Sequence, residues 1–149
     1  MKIFKSLILS ILFIACSSTK KTNTVTSLEK IYIENATKFA KSQFESCKTK
    51  NYIPISKDIA EPWLVRNLTV SDMRNTCEII NEKYGELLEL KIEQTLLYKE
   101  RYIYRFKAKY SKKHEPSEIR VYSNLNHKFN GLFFRPVWND KYSKMNVSN

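Results

Sequence analysis

The apolar positions of this chain change their period once, and the change falls at Gly85. Before it they recur at helical spacing; after it they alternate as in strands. Residues 28–49, LEKIYIENATKFAKSQFESCKT, contain no Pro or Gly and follow a capping Ser27. Their apolar face runs through Ala36, Phe39 or Ala40, Gln43 or Phe44, and Cys47. Residues 50–68 hold Pro54 and Pro62 and read as an irregular link with room for one short helix. A second helix starts at TVSDM, capped by Thr69 or Ser71, with Asp72 near its positive end. Its face is Met73, Cys77, Ile80 and Tyr84, and Gly85 terminates it.

Four strands are expected beyond Gly85. ELLELKIEQTLLY sends Leu88, Leu90 and Ile92 to one side. RYIYRFKAKY is the clearest strand, with Tyr102, Tyr104, Phe106 and Tyr110 on one face and Arg101, Arg105, Lys107 and Lys109 on the other. After the polar turn KKHEP, SEIRVYS points Ile119 and Val121 inward. After the turn NLNHK, FNGLFFRPVW is a fourth strand, with Pro136 marking its end or an edge. Residues 139–149 read as a polar, frayed tail. The order of elements gives an α+β fold, with a long N-terminal helix and one or two others packed on one face of a curved four-stranded antiparallel sheet. No internal repeat is evident.

The chain opens MKIFKSLILSILFIACSS. Lys2 and Lys5 precede an apolar run, Leu7 to Ala15, that is too short for a bilayer needing about 20 apolar residues. This is the pattern of a secretory signal. Phe13-Ile14-Ala15-Cys16 resembles the lipobox of bacterial lipoproteins. The resemblance implies that residues 1–15 are removed and that Cys16 is acylated with palmitate-type chains, which anchor durably when several are present. Ser17, where no Asp follows the cysteine, implies the outer membrane, and the lack of acid in SSTKK favours its periplasmic face. Residues 16–27 then form a tether of at most roughly 35–40 Å, too polar to order itself.

That address bears on the basic strand. An alternating aromatic and cationic strip suits nucleic acid, but a lipid-anchored periplasmic protein meets little of it. Without Lys2 and Lys5 the chain has 24 Lys plus Arg against 15 Asp plus Glu, a charge of +9. Such a protein is drawn to lipid phosphate, lipopolysaccharide and acidic polymers. The simpler reading is lysine on solvated faces, since no run of five cations exists. Cys47 and Cys77 remain as two spare cysteines in an oxidising compartment. They are either a disulfide between packed helices or two buried thiols.

Tyr84-Gly85, the Tyr-rich basic strand, and Gly131-Leu132-Phe133-Phe134 after a polar turn together resemble small secreted domains of the nuclear-transport-factor-2-like, or cystatin-like, superfamily. The resemblance covers residues 28–138 and implies a long helix across a bent sheet, forming a cone with an apolar cavity. Tyr102, Tyr104, Phe106, Tyr110 and Phe134 would then line the cavity or stack on a ligand. Enzymes of that superfamily place a carboxylate, His or Tyr inside the cone. The inward positions here, which also include Ala108 and Leu132, hold no Asp, Glu or His.

Two glycines exclude a glycine-rich phosphate loop, and no G-x-S-x-G, H-E-x-x-H or C-x-x-C occurs. His114 and His127 fall in turns and make a poor metal pair without cysteine beside them. Glu86, Glu89 and Glu93 would reach the pocket only if the register slipped by one; solvent exposure is the expectation. Trp63 and Trp138 are expected to cover the edge of the core. No cofactor or metal is expected. The reading is a membrane-anchored, non-enzymatic binding module for a small apolar ligand, an envelope protein or a second copy as a homodimer. The alternatives are a small isomerase or hydrolase using Tyr102 or Tyr104, and a structural subunit of an envelope complex that engages its partner through the basic face.

Overall fold

A computed structural model describes residues 27–143. The signal segment, Cys16 and nearly all of the tether lie outside the described residues. The elements are α1 (Ser27–Thr49), α2 (Pro62–Asn67), α3 (Val70–Tyr84), β1 (Leu87–Tyr98), β2 (Arg101–Tyr110), β3 (Lys113–Asn124) and β4 (Phe129–Arg135). The strands form one antiparallel meander in the order β1-β2-β3-β4. α1 lies on its inner face against β1 and β3, with α3 beside it. This is the α+β layout that the change of period predicts, a helical layer on an open four-stranded sheet.

Each boundary has a local cause. Pro62 opens α2, where a missing N–H is harmless. At α3 the Thr69 and Asp72 side chains cap each other's backbone N–H, so a capping box fixes the start. α3 ends at Gly85, whose φ of 80° and ψ of −159° place it in a region that only glycine enters readily. Cys47 of α1 and Cys77 of α3 are joined by a disulfide, with Cα atoms 4.8 Å apart. Asn81 of α3 also donates to the Cys47 carbonyl at 2.8 Å.

The core lies between the helices and the inner sheet face. Ala36, Phe39, Ala40, Phe44 and Cys47 of α1 are buried, as are Met73, Cys77 and Ile80 of α3. They meet a cross-strand row, Ile92–Phe106–Ile119–Phe134, formed by the register of all four strands. Full burial of one such side chain stabilises by about 1.5–3 kcal/mol. Leu88 departs from expectation. A bulge between Leu87 and Glu89 gives Leu87 the inward place opposite Tyr110 and leaves Leu88 68% exposed. The free edge of β4 is partly covered: Ala60 bridges Phe129 in parallel, and Glu61 N–H donates to the Phe129 carbonyl at 2.8 Å.

Candidate aromatic and cationic groove on the outer sheet face

The expected solvated basic face needs correction. Arg105 is 0% exposed, and so are its neighbours Glu118 and Arg120. The reason is the segment after β4. The Pro136 carbonyl accepts from Ser117 Oγ at 3.0 Å, Trp138 N–H donates to the Pro116 carbonyl at 2.8 Å, and the chain then crosses the outer face. Residues 139–143 are therefore a strap, not a frayed tail. Arg105 donates through its Nη2 to the Asn139 carbonyl, and Arg120 through its Nη1 to that of Ser143. Trp138 lies 4.5 Å from the Arg105 guanidinium and 5.0 Å from the Lys107 ammonium. Tyr142 lies 4.9 Å from the Arg120 guanidinium. Of the four basic residues expected to form a free face, Arg105 is buried, Lys107 is half-buried, and Lys109 pairs with Glu89. Arg101 alone is exposed without an ion pair among the described residues.

Glu118 is the hub beneath the strap. Its Oε1 accepts from Arg105 Nε and Arg120 Nε at 2.6 Å each, its Oε2 from Arg120 Nη2 at 3.0 Å, and Arg135 approaches to 3.7 Å. Burial alone would push its carboxyl up, but the bonds from Arg120 and Arg105 outweigh it and hold the carboxyl below the usual glutamate value. A carboxylate so occupied cannot act as a general base.

Beside the strap the outer face opens into a groove of about 430 Å³, within the range of small-molecule clefts. β1, the hairpin tip and the start of β2 contribute Tyr98, Lys99 and Arg101; β3 and β4 contribute Tyr122, Asn130 and Phe133. Glu61 and Trp63 close one side and Tyr142 of the strap another. The rings brace one another. Tyr122 and Phe133 meet edge to face at 5.4 Å, and Tyr98 and Tyr142 lie 6.0 Å apart. Gly131 makes this possible, because a Cβ there would come within 2.8 Å of the Phe133 ring and 3.2 Å of Tyr122. Asn124 donates to Glu61 Oε1 at 2.6 Å and fixes that carboxylate. Asn130 is the extra residue of a bulge opposite Tyr122 and Ser123, and its Oδ1 is buried with no hydrogen-bond partner among the described residues. Lys99 and Glu100, at φ of 45° and 60°, form the hairpin tip in the left-handed region that glycine or asparagine normally fills.

The inner-face aromatics are placed differently from a cavity wall. Tyr104, Phe106 and Tyr110 are under 5% exposed, packed beneath the helices. Tyr102 and Phe134 are half-buried at the margins, and none of the five lines the groove. Burial pushes the Tyr104 and Tyr110 phenols up, the opposite of activation. A second groove, of about 590 Å³, runs between α1, residues 53–59 and the turn before β4. At its rim His127 stacks between Tyr32 and Tyr102, and burial pulls its imidazole below the ordinary value. His114 starts β3 whereas His127 follows its end, so the two histidines do not meet. No cluster of metal-ligating side chains occurs among the described residues, and no helix there is long and apolar enough to cross a membrane.

Glu86, Glu89 and Glu93 pair with Lys48, Lys109 and Lys91 at the surface. Trp138 covers the buried cations, whereas Trp63 is 51% exposed in the groove. Sequence reasoning missed the strap and the groove. The available signal was Trp138 and Tyr142 within an otherwise polar segment. No family model matches the chain, and neither a curated protein nor a solved structure matches it.

Proposed function

We propose that this chain is a non-enzymatic binding module, held at the periplasmic face of a bacterial outer membrane by an acylated Cys16, which takes its ligand in the outer-face groove. The anchoring half rests on the short apolar leader and on Phe13-Ile14-Ala15-Cys16. The binding half rests on one observation: braced aromatic rings, an exposed Trp63, and two cations, Lys99 and Arg101, without ion pairs among the described residues converge on one cleft. Pre-organised rings and unpaired charges are favourable to a ligand because little order is lost on binding. The domain's kinship with the nuclear-transport-factor-2-like superfamily belongs to the same proposal, on Tyr84-Gly85 and Gly131 to Phe134. The ligand site moves from the inner face, filled by helix side chains, to the outer one.

Two measurements test it. Palmitate labelling of cells should mark the full chain and not Cys16→Ala; an unlabelled wild type, or a labelled variant, removes the anchor. A native mass spectrum of the full chain released from detergent should show added mass that Trp63→Ala and Arg101→Gln remove. An adduct retained by both variants places the ligand elsewhere.

A further inference from the structure

We infer that the ligand of the outer groove is an acidic sugar, a hydroxylated ring bearing carboxylate or phosphate; this rests on reading the groove as the binding site. Three features select that chemistry. The groove carries aromatic faces without being an apolar hole. Trp63 is 51% exposed at one side, and the Tyr122–Phe133 pair braces the wall. Flat rings beside polar groups suit a molecule with one apolar face and a hydroxylated rim. A fatty chain would cover Lys99 and Arg101 without supplying an anion to either, which is unfavourable.

The acceptors match hydroxyl donors. Asn130 lines the groove, and its Oδ1 is buried without a hydrogen-bond partner among the described residues, so a hydroxyl that reaches it as the side chain turns outward gains a bond. Glu61, held by Asn124, offers a fixed carboxylate beside it. Cations then outnumber anions on the lining, Lys99 and Arg101 against Glu61, and neither cation has an ion pair among the described residues. Lys99 is carried on a left-handed turn that its own side chain disfavours. An anionic substituent on the sugar would complete this set with charge-assisted bonds. The floor consists of side chains on the outer sheet face, which present rings and charges rather than backbone to an arriving molecule.

Envelope sources of such chemistry include lipopolysaccharide and peptidoglycan, and the experiment separates them. The purified full chain in detergent is titrated calorimetrically with a galacturonic acid oligomer and with the same oligomer after carboxyl reduction. The acidic form should bind at least about tenfold more tightly. The preference should collapse as ionic strength rises from about 0.01 to about 1 M, where the Debye length falls from about 30 to 3 Å. Arg101→Gln should abolish the preference, Trp63→Ala should weaken both sugars, and Asn130→Asp should weaken the acidic one more. Trp63 and Arg101 are exposed, so the fold survives their change. Co-sedimentation with peptidoglycan sacculi or with lipopolysaccharide aggregates then names the source. Equal binding of both oligomers, lost in Trp63→Ala, overturns the acidic preference and keeps the groove. Binding of neither overturns the sugar inference, and the native mass spectrum above then decides separately whether the groove binds anything.

Discussion

Glu118→Gln is the sharpest perturbation of this structure. It removes the one carboxylate lying between Arg105 and Arg120, all three side chains being 0% exposed. At about 4 Å and an effective dielectric near 20, each ion pair is worth about 4 kcal/mol before desolvation. Desolvation offsets much of this in the intact cluster but leaves the variant with two unneutralised buried cations. Breaking a buried pair this way costs about 3–5 kcal/mol. The strap carbonyls of Asn139 and Ser143 still accept one N–H from each guanidinium, which favours the lower half of that range. A domain of this size has about 5–15 kcal/mol in total, so the loss is a large fraction of it. In urea, with a slope of about 1–3 kcal/mol/M, the midpoint should fall by more than about 1 M.

The acid limb provides a second readout. The folded Glu118 carboxyl is held below its ordinary value of 4.5. Its stabilisation is therefore complete above that value and is lost as pH falls through the folded one. The variant should lack this component of acid sensitivity. Replacing all three residues by apolar ones, Arg105→Met with Glu118→Leu and Arg120→Met, should recover most of the loss, because the charges disappear together. A Glu118→Gln loss under about 1 kcal/mol would refute the buried-cluster reasoning.

Four further outcomes follow from the same structure. Truncation after Pro136 should destabilise by about 3–6 kcal/mol, from two lost charge-assisted bonds, read by urea melting alongside Glu118→Gln. Reduction of the Cys47–Cys77 bridge, which closes 30 residues, should cost about 3–4 kcal/mol in the chain-entropy model, seen as a lower Tm in reductant that Cys47→Ala/Cys77→Ala matches. Gly85→Ala should cost more than about 1–3 kcal/mol, because its Cβ would also meet Ser111 Oγ at 2.2 Å; near-normal melting would contradict the cap geometry. Replacing Lys99-Glu100 by Asn-Gly should stabilise by about 1 kcal/mol by relieving two left-handed residues, while weakening acidic ligands by calorimetry.

The inner half of the sheet was legible because its code is local. Tyr102, Tyr104, Phe106 and Ala108 alternate without interruption, and alternation alone assigns a face. Where the chain spends an extra residue the code breaks. The bulge at Leu88 reverses parity, and no neighbouring residue announces it. The change from 3.6 to 2 at Gly85 was equally plain, because glycine is the residue that the required φ admits.

The outer half was not legible, for a reason in the physics of charge. A buried arginine is recognised by its partner, and the partners of Arg105 are distant in sequence: Glu118 is 13 residues away and Asn139 is 34. Read locally, Arg105 and Lys107 look like solvent-facing cations, and 139–149 looks like a tail. Only Trp138 and Tyr142, which expose large rings if left free, argued for a strap. Once the strap is placed, the positive charge divides into two kinds. Arg105 and Arg120 are structural, neutralised by Glu118 and by carbonyls. Lys107 lies against Trp138, and Lys48, Lys91 and Lys109 are paired at the surface. On the lining of the outer groove this subtraction leaves Lys99, 5.9 Å from the Tyr98 ring, and Arg101, neither with an ion pair among the described residues. On the proposed reading, ligand binding rests on cations that make no ion pair within the fold among the described residues, so a two-residue change at the hairpin tip should raise stability and lower binding together.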